Sequence, residues 1–68
     1  MTDTGALKNK IAASGYKLEY VANVVGISRH ALHKKITNAN EFKTGEVKKL
    51  CELLGITDPV ERDHIFFA

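Results

Sequence analysis

With 68 residues, one cysteine and a formal net charge of +2, the chain has room for a single domain over residues 1–68, and it can form neither an intrachain disulfide nor a cysteine-rich zinc site. A domain of this size buries only about 60% of the surface its unfolded chain exposes, so its own stability is modest and dimerisation would add to it. No apolar run approaches the roughly 18 to 20 residues of a membrane span, and Met1-Thr2-Asp3-Thr4-Gly5 lacks the basic region and apolar stretch of a signal peptide, which favours a reducing cytoplasm and no membrane partner.

Apolar residues recur at helical rather than alternating spacing, and the breaks fall at Gly, Asn or Asp-Pro, which predicts an all-α chain of five helices. The first runs from about Gly5 to Ser14 with Thr4 or Asp3 as N-cap, Leu7 and Ile11 on its inner face and Gly15 as terminator, after which Tyr16 is expected to pack back. The second, from about Leu18 to Val25, buries Val21, Val25 and Leu18, keeps one face small with Ala22, and stops at Gly26. Gly26-Ile27-Ser28 supplies in turn a residue free to adopt positive φ, an apolar plug and an N-cap hydroxyl. A third helix therefore starts at once and reaches about Thr37. Asn38 is the next terminator, and Phe42 is the apolar residue of the loop that follows. Thr44 is expected to cap a fourth helix, whose inner positions are Val47, Leu50, Cys51 and Leu54 and whose end is Gly55-Ile56. The fifth starts with Asp58 as N-cap and Pro59 at the first helical position, with Glu61 spaced as in a capping box, and runs to about Phe66 or Phe67.

Residues 18–37 have the form of a helix-turn-helix. Ala22 is small where two steeply crossing helices touch, and Ile27 and Leu32 anchor the second helix on the core. With Leu32 and Ile36 inward, the opposite face of helix three presents Arg29, His30, His33, Lys34 and Thr37, and none of these is acidic. Between Glu19 and Glu41 the only formal charges are Arg29, Lys34 and Lys35, whereas beyond Lys49 the acids Glu52, Asp58, Glu61 and Asp63 oppose Arg62 alone. Such a helix suits the major groove of B-DNA. Arg29 either donates two hydrogen bonds to guanine or contacts phosphate. Lys34 and Lys35 are phosphate ligands in this reading, with Ser28, Thr37, Asn38 and Lys43 as further backbone contacts.

Other constellations are weak. His30 and His33 lie three apart but lack a third and fourth ligand, since Cys51 sits on an inner face and His64 near the C-terminus, so no metal is expected. Cys51 reads as a core residue, and Lys48 and Lys49 as the solvated face of helix four. Without paired carboxylates, a phosphate-cradling glycine loop or an activated nucleophile, the chain is not expected to be an enzyme or to hold a cofactor or small-molecule ligand. Ile65, Phe66 and Phe67 offer more apolar area than a terminus usually shows, and are expected to share in the core and in a dimer interface.

From Gly15 to Ile56 the sequence resembles the XRE-type helix-turn-helix family that contains the phage Cro and CI repressors. With Lys35-Ile36 before the loop, Phe42 after it and the Ile65-Phe66-Phe67-Ala68 ending, it is similar to small phage-encoded regulators of Gram-positive bacteria. The resemblance implies a five-helix lambda-repressor-like domain, operator binding as a homodimer, no cofactor, and transcriptional repression in a phage or prophage switch within a bacterial host, at the nucleoid. It places the base-reading positions at Arg29, His30, His33 and Lys34. Two positions depart from the family pattern: Leu18 stands where glutamine is common, leaving its contact to Lys17 or Tyr20 or to neither, and Asn38 stands where glycine is usual. The rival reading is a protein-interaction module, an antirepressor or antitoxin-like partner acting through the C-terminal helix. Because histidine changes charge near neutrality, operator affinity is expected to rise modestly as pH falls from about 8 to 6 at constant salt; a flat fluorescence-anisotropy titration would contradict this.

Overall fold

Local chemistry sets the helix boundaries, and the computed structural model, which describes residues 1–68, has no strand. Its elements are α1 (Thr4–Ser14), α2 (Leu18–Val25), α3 (Arg29–Ile36), α4 (Thr44–Leu54) and α5 (Pro59–Phe66). The Asp3, Ser28 and Asp58 side chains accept the first-turn N–H groups of Ala6, Ala31 and Val60, which offsets donors that a helix start would otherwise leave unpaired. α1, α2 and α4 end at Gly15, Gly26 and Gly55 as their sequence predicts.

Several local expectations are corrected. Thr4 is the first residue of α1 rather than its cap, and its hydroxyl donates instead to the Ile36 carbonyl at 2.6 Å. Thr44 likewise lies inside α4. The start of α4 is secured from the other direction, by the Glu46 carboxylate accepting the Lys43 N–H at 2.9 Å. Glu61 closes no capping box, because its carboxylate pairs with Lys10 of α1 at 3.0 Å. α3 stops at Ile36, with Thr37 as its C-cap. Tyr16 does not fold back on the core: it stays 40% exposed and lies against Tyr20, ring centroids 5.1 Å apart and planes tilted by 40°.

The core is assembled from one fully inaccessible residue on each of the first four helices, Leu7, Val21, Leu32 and Leu50. α5 closes it with Ile65 and Phe66, both buried, and Phe42 meets Phe66 edge to face at 5.6 Å. Ile65 and Phe66 are thus core residues and leave the candidate dimer surface, while Phe67 stays on it at 61% exposure. α2 lies against α3 and α4, and α1 against α3, α4 and α5. No helix is long and apolar enough to cross a membrane.

The end of α3 is fastened to the N-terminal residues. Asn38 has φ 67°, the left-handed region that glycine favours. Its side chain explains why asparagine stands there: Oδ1 accepts the N–H of buried Thr2 at 2.8 Å and Nδ2 donates to the Thr2 carbonyl at 2.9 Å. A glycine would suit the backbone and forfeit both bonds. Asn38→Ala is therefore expected to cost about 2–3 kcal/mol, and Asn38→Gly about 1 kcal/mol less, since only the former keeps the left-handed strain. Paired thermal and urea melts check the order of the two variants.

Candidate nucleic-acid interface

The connection between α2 and α3 is fixed by a backbone bond that a left-handed residue permits. The Gly26 N–H makes an ordinary helical bond to the Ala22 carbonyl at 2.9 Å, and the left-handed φ of 91° at Gly26 turns the Ile27 N–H back onto the same carbonyl at 3.0 Å. Ile27 then packs against the core as a half-buried plug, and Ser28 opens α3. A three-residue turn results. Because α3 advances about 100° per residue, burying Leu32 and Ile36 rotates His30, Lys34 and Thr37 to the far side and His33 to the flank; Arg29, three residues before Leu32, falls on the core side of the helix but at its first position, and all five are exposed.

Lys35 belongs to the other side. One position past Lys34, it turns toward α4, where its ammonium pairs with the Glu46 carboxylate and only 11% of either side chain remains accessible. Lys35 is therefore withdrawn from the candidate phosphate ligands. Thr37 and Asn38 follow it for lack of free donors. The Thr37 hydroxyl donates to the His33 carbonyl at 2.9 Å, and the Asn38 amide protons are directed at the Thr2 carbonyl and at the Thr4 hydroxyl. A phosphate oxygen accepts hydrogen bonds and needs donors, so neither side chain serves one without giving up an internal bond.

The remaining candidates are open. Ser28 Oγ accepts from Ala31 N–H at 3.0 Å and keeps its own proton to donate. Arg29, Lys34, Lys17 and Lys43 are exposed, and none forms an ion pair, unlike Lys10, Lys35 and Arg62. Lys17 sits just before α2 and Lys43 just before α4. Arg29, His30 and His33 line one surface depression of about 290 Å³, and Arg29 also borders a second with Glu19, Asn23 and Ser28.

One participant was not foreseen in the sequence: Leu18, expected only in the core, forms the apolar wall of the depression beside Arg29, His30 and His33. Lys49 is exposed as expected, its ammonium 4.0 Å from the point a Cβ on Gly26 would occupy. Away from this surface, Val47, Cys51, Ile56, Pro59 and Phe67 line a groove of about 550 Å³ between α4 and α5. Burial pushes the Cys51 thiol up, a shift that Arg62 opposes and Glu61 adds to, which keeps it protonated at neutral pH and unsuited to nucleophilic work.

Burial alone would raise the Glu46 pKa, but the hydrogen bonds from Lys35 and the Lys43 backbone, with the charges of both lysines, together hold it below its ordinary value of 4.5. A depressed folded-state value means that the stabilisation is complete above the unfolded pKa and is lost as pH falls through the folded one. Glu46→Gln is expected to cost about 1–2 kcal/mol at pH 7, and the gap from wild type should close on acidification below pH 4.5. Chemical denaturation of both proteins at pH 7 and pH 3 decides it; an undiminished gap at the lower pH would contradict the ion pair.

Comparison with protein-family models, with curated proteins and with solved structures finds no match, so the resemblance noted above rests on the residues that carry it.

Proposed function

We propose that the chain is a sequence-specific DNA-binding transcriptional regulator with a lambda-repressor-like fold, in which α2 and α3 form a helix-turn-helix and α3 is the recognition helix. The observation that carries this reading is the exposed surface of α3: His30, His33 and Lys34 along its outer side and Arg29 at its first position are all exposed, while the one cation of the helix that meets a carboxylate, Lys35, is turned to the inner side. Glu19 borders Arg29 without forming an ion pair with it, and the unpaired donors attract the phosphate backbone and offer hydrogen bonds to guanine O6 and N7. Lys17, Ser28 and Lys43 flank α3 as backbone contacts. In a homodimer, two copies of α3 enter successive major grooves about 34 Å apart on a roughly palindromic operator. The dimer contact falls at the groove between α4 and α5, which Phe67 lines at 61% exposure, with Val60, next in the chain to the groove residue Pro59, 76% exposed. Such a protein works in the cytoplasm of a bacterial host and represses by occupying DNA, as in a phage or prophage switch, without catalysis or a cofactor.

The same groove and exposed Phe67 favour a second reading, a protein-interaction module with no operator of its own. Salt separates the two. Neutralising several phosphates gives log affinity a negative slope against log salt of about 0.9 per phosphate contacted, and a purely protein-binding module has no such affinity.

Selection of binding sites from random duplex DNA, run in parallel with wild type, Arg29→Ala, Lys34→Ala and Lys35→Ala, tests the assignment. Lys34→Ala should weaken all sites evenly and flatten the salt slope by about one phosphate, whereas Lys35→Ala should lower the melting temperature and leave the slope in place. Arg29→Ala relaxes one motif position if Arg29 reads a base and keeps the motif at lower affinity if it touches phosphate alone. Failure of the wild type to select any motif, at any salt, would overturn the proposal.

A further inference from the structure

An apolar side chain stands beside Arg29, His30 and His33. Leu18, the first residue of α2, packs one side against the core cluster and stays half-buried. Its other side lines the 290 Å³ depression whose remaining walls are Arg29, His30 and His33. Of the four residues that line this depression, Leu18 alone is apolar. Arginine brings hydrogen-bond donors only, and each imidazole brings at least one. Leucine brings none.

The floor of the major groove has a matching composition. Base edges there present hydrogen-bonding atoms and one apolar group, the C5 methyl of thymine. An apolar wall beside the Arg29 guanidinium complements a methyl beside guanine O6 and N7, and it leaves no polar edge of a base facing a group unable to bond it. We propose that Leu18 is a specificity-determining residue that contacts a thymine methyl next to the position served by Arg29. Each operator half-site then contains one thymine recognised through its methyl group rather than through its hydrogen-bonding edge. The inference rests on α3 being the recognition helix and adds to it a reader outside α3.

The probe is the duplex that the full chain selects from a random pool. Replacing its thymines one at a time by deoxyuridine removes the methyl and keeps every hydrogen-bonding atom. At one thymine per half-site the affinity of the wild type is expected to fall about fourfold, the equivalent of one buried methyl. Leu18→Ala should bind the thymine and uracil duplexes equally, and Leu18→Met, which preserves both the packing and an apolar contact, should still prefer thymine. The uracil scan on the unaltered protein and the Leu18→Met comparison hold whether or not Leu18→Ala stays folded. Absence of any methyl-sensitive thymine, or a sensitivity that survives Leu18→Ala, overturns the assignment while leaving DNA recognition intact. Failure to select any duplex overturns both together.

Discussion

A helix of two turns has no independent existence in water, because nucleation costs more than so few hydrogen bonds return. α3 has eight residues, and its existence depends on being held along one side: Leu32 and Ile36 in the core, Lys35 on Glu46, and its last carbonyls on Thr4 and the loop. All the holding is done by one face. The opposite face is therefore free to carry residues chosen for something other than stability, and at His30, His33 and Lys34, as at Arg29 where the helix begins, the side chains have no internal partner.

The elements themselves were legible in the sequence because their signals are local. Positive-φ residues, oxygen-bearing caps and apolar spacing identified all five helices, and Asn38 was recognised as a terminator. Apart from the caps expected at Thr4 and Thr44, which lie inside their helices, what escaped were pairings between segments distant in the chain. Lys35 looks like Lys34 in a list of charges, and only its position three past Leu32, beside Ile36, hints that it turns inward. Its partner Glu46 sits eleven residues on, at the third position of a helix start. Glu61 was in the right place for a local cap and was drawn off by Lys10 on another helix. Ile65 and Phe66 could not be divided from Phe67 by type; burial alone separates them.

The placement of Leu18 has a related cause. An apolar first residue of an amphipathic helix reads as core, and half of its surface is. The outer half acquires meaning from α3, since the tight turn at Gly26 brings the start of α2 beside Arg29 and His33. A side chain at such a junction belongs to two environments, and spacing along one helix describes only the inner one.

Thr2, Asp3 and Thr4 bond in succession to Asn38, to the Ile65 carbonyl and to the Ile36 carbonyl. Three adjacent residues thereby join the beginning of the chain to its middle and to its end, closing a span of thirty-six residues in the first case. Once loop-closure entropy has been met by one of these bonds, the others add little further ordering cost. Detaching the first turn of α1 would release the ends of α3 and α5 at once, so these segments should exchange their amide hydrogens as one cooperative unit rather than fray separately.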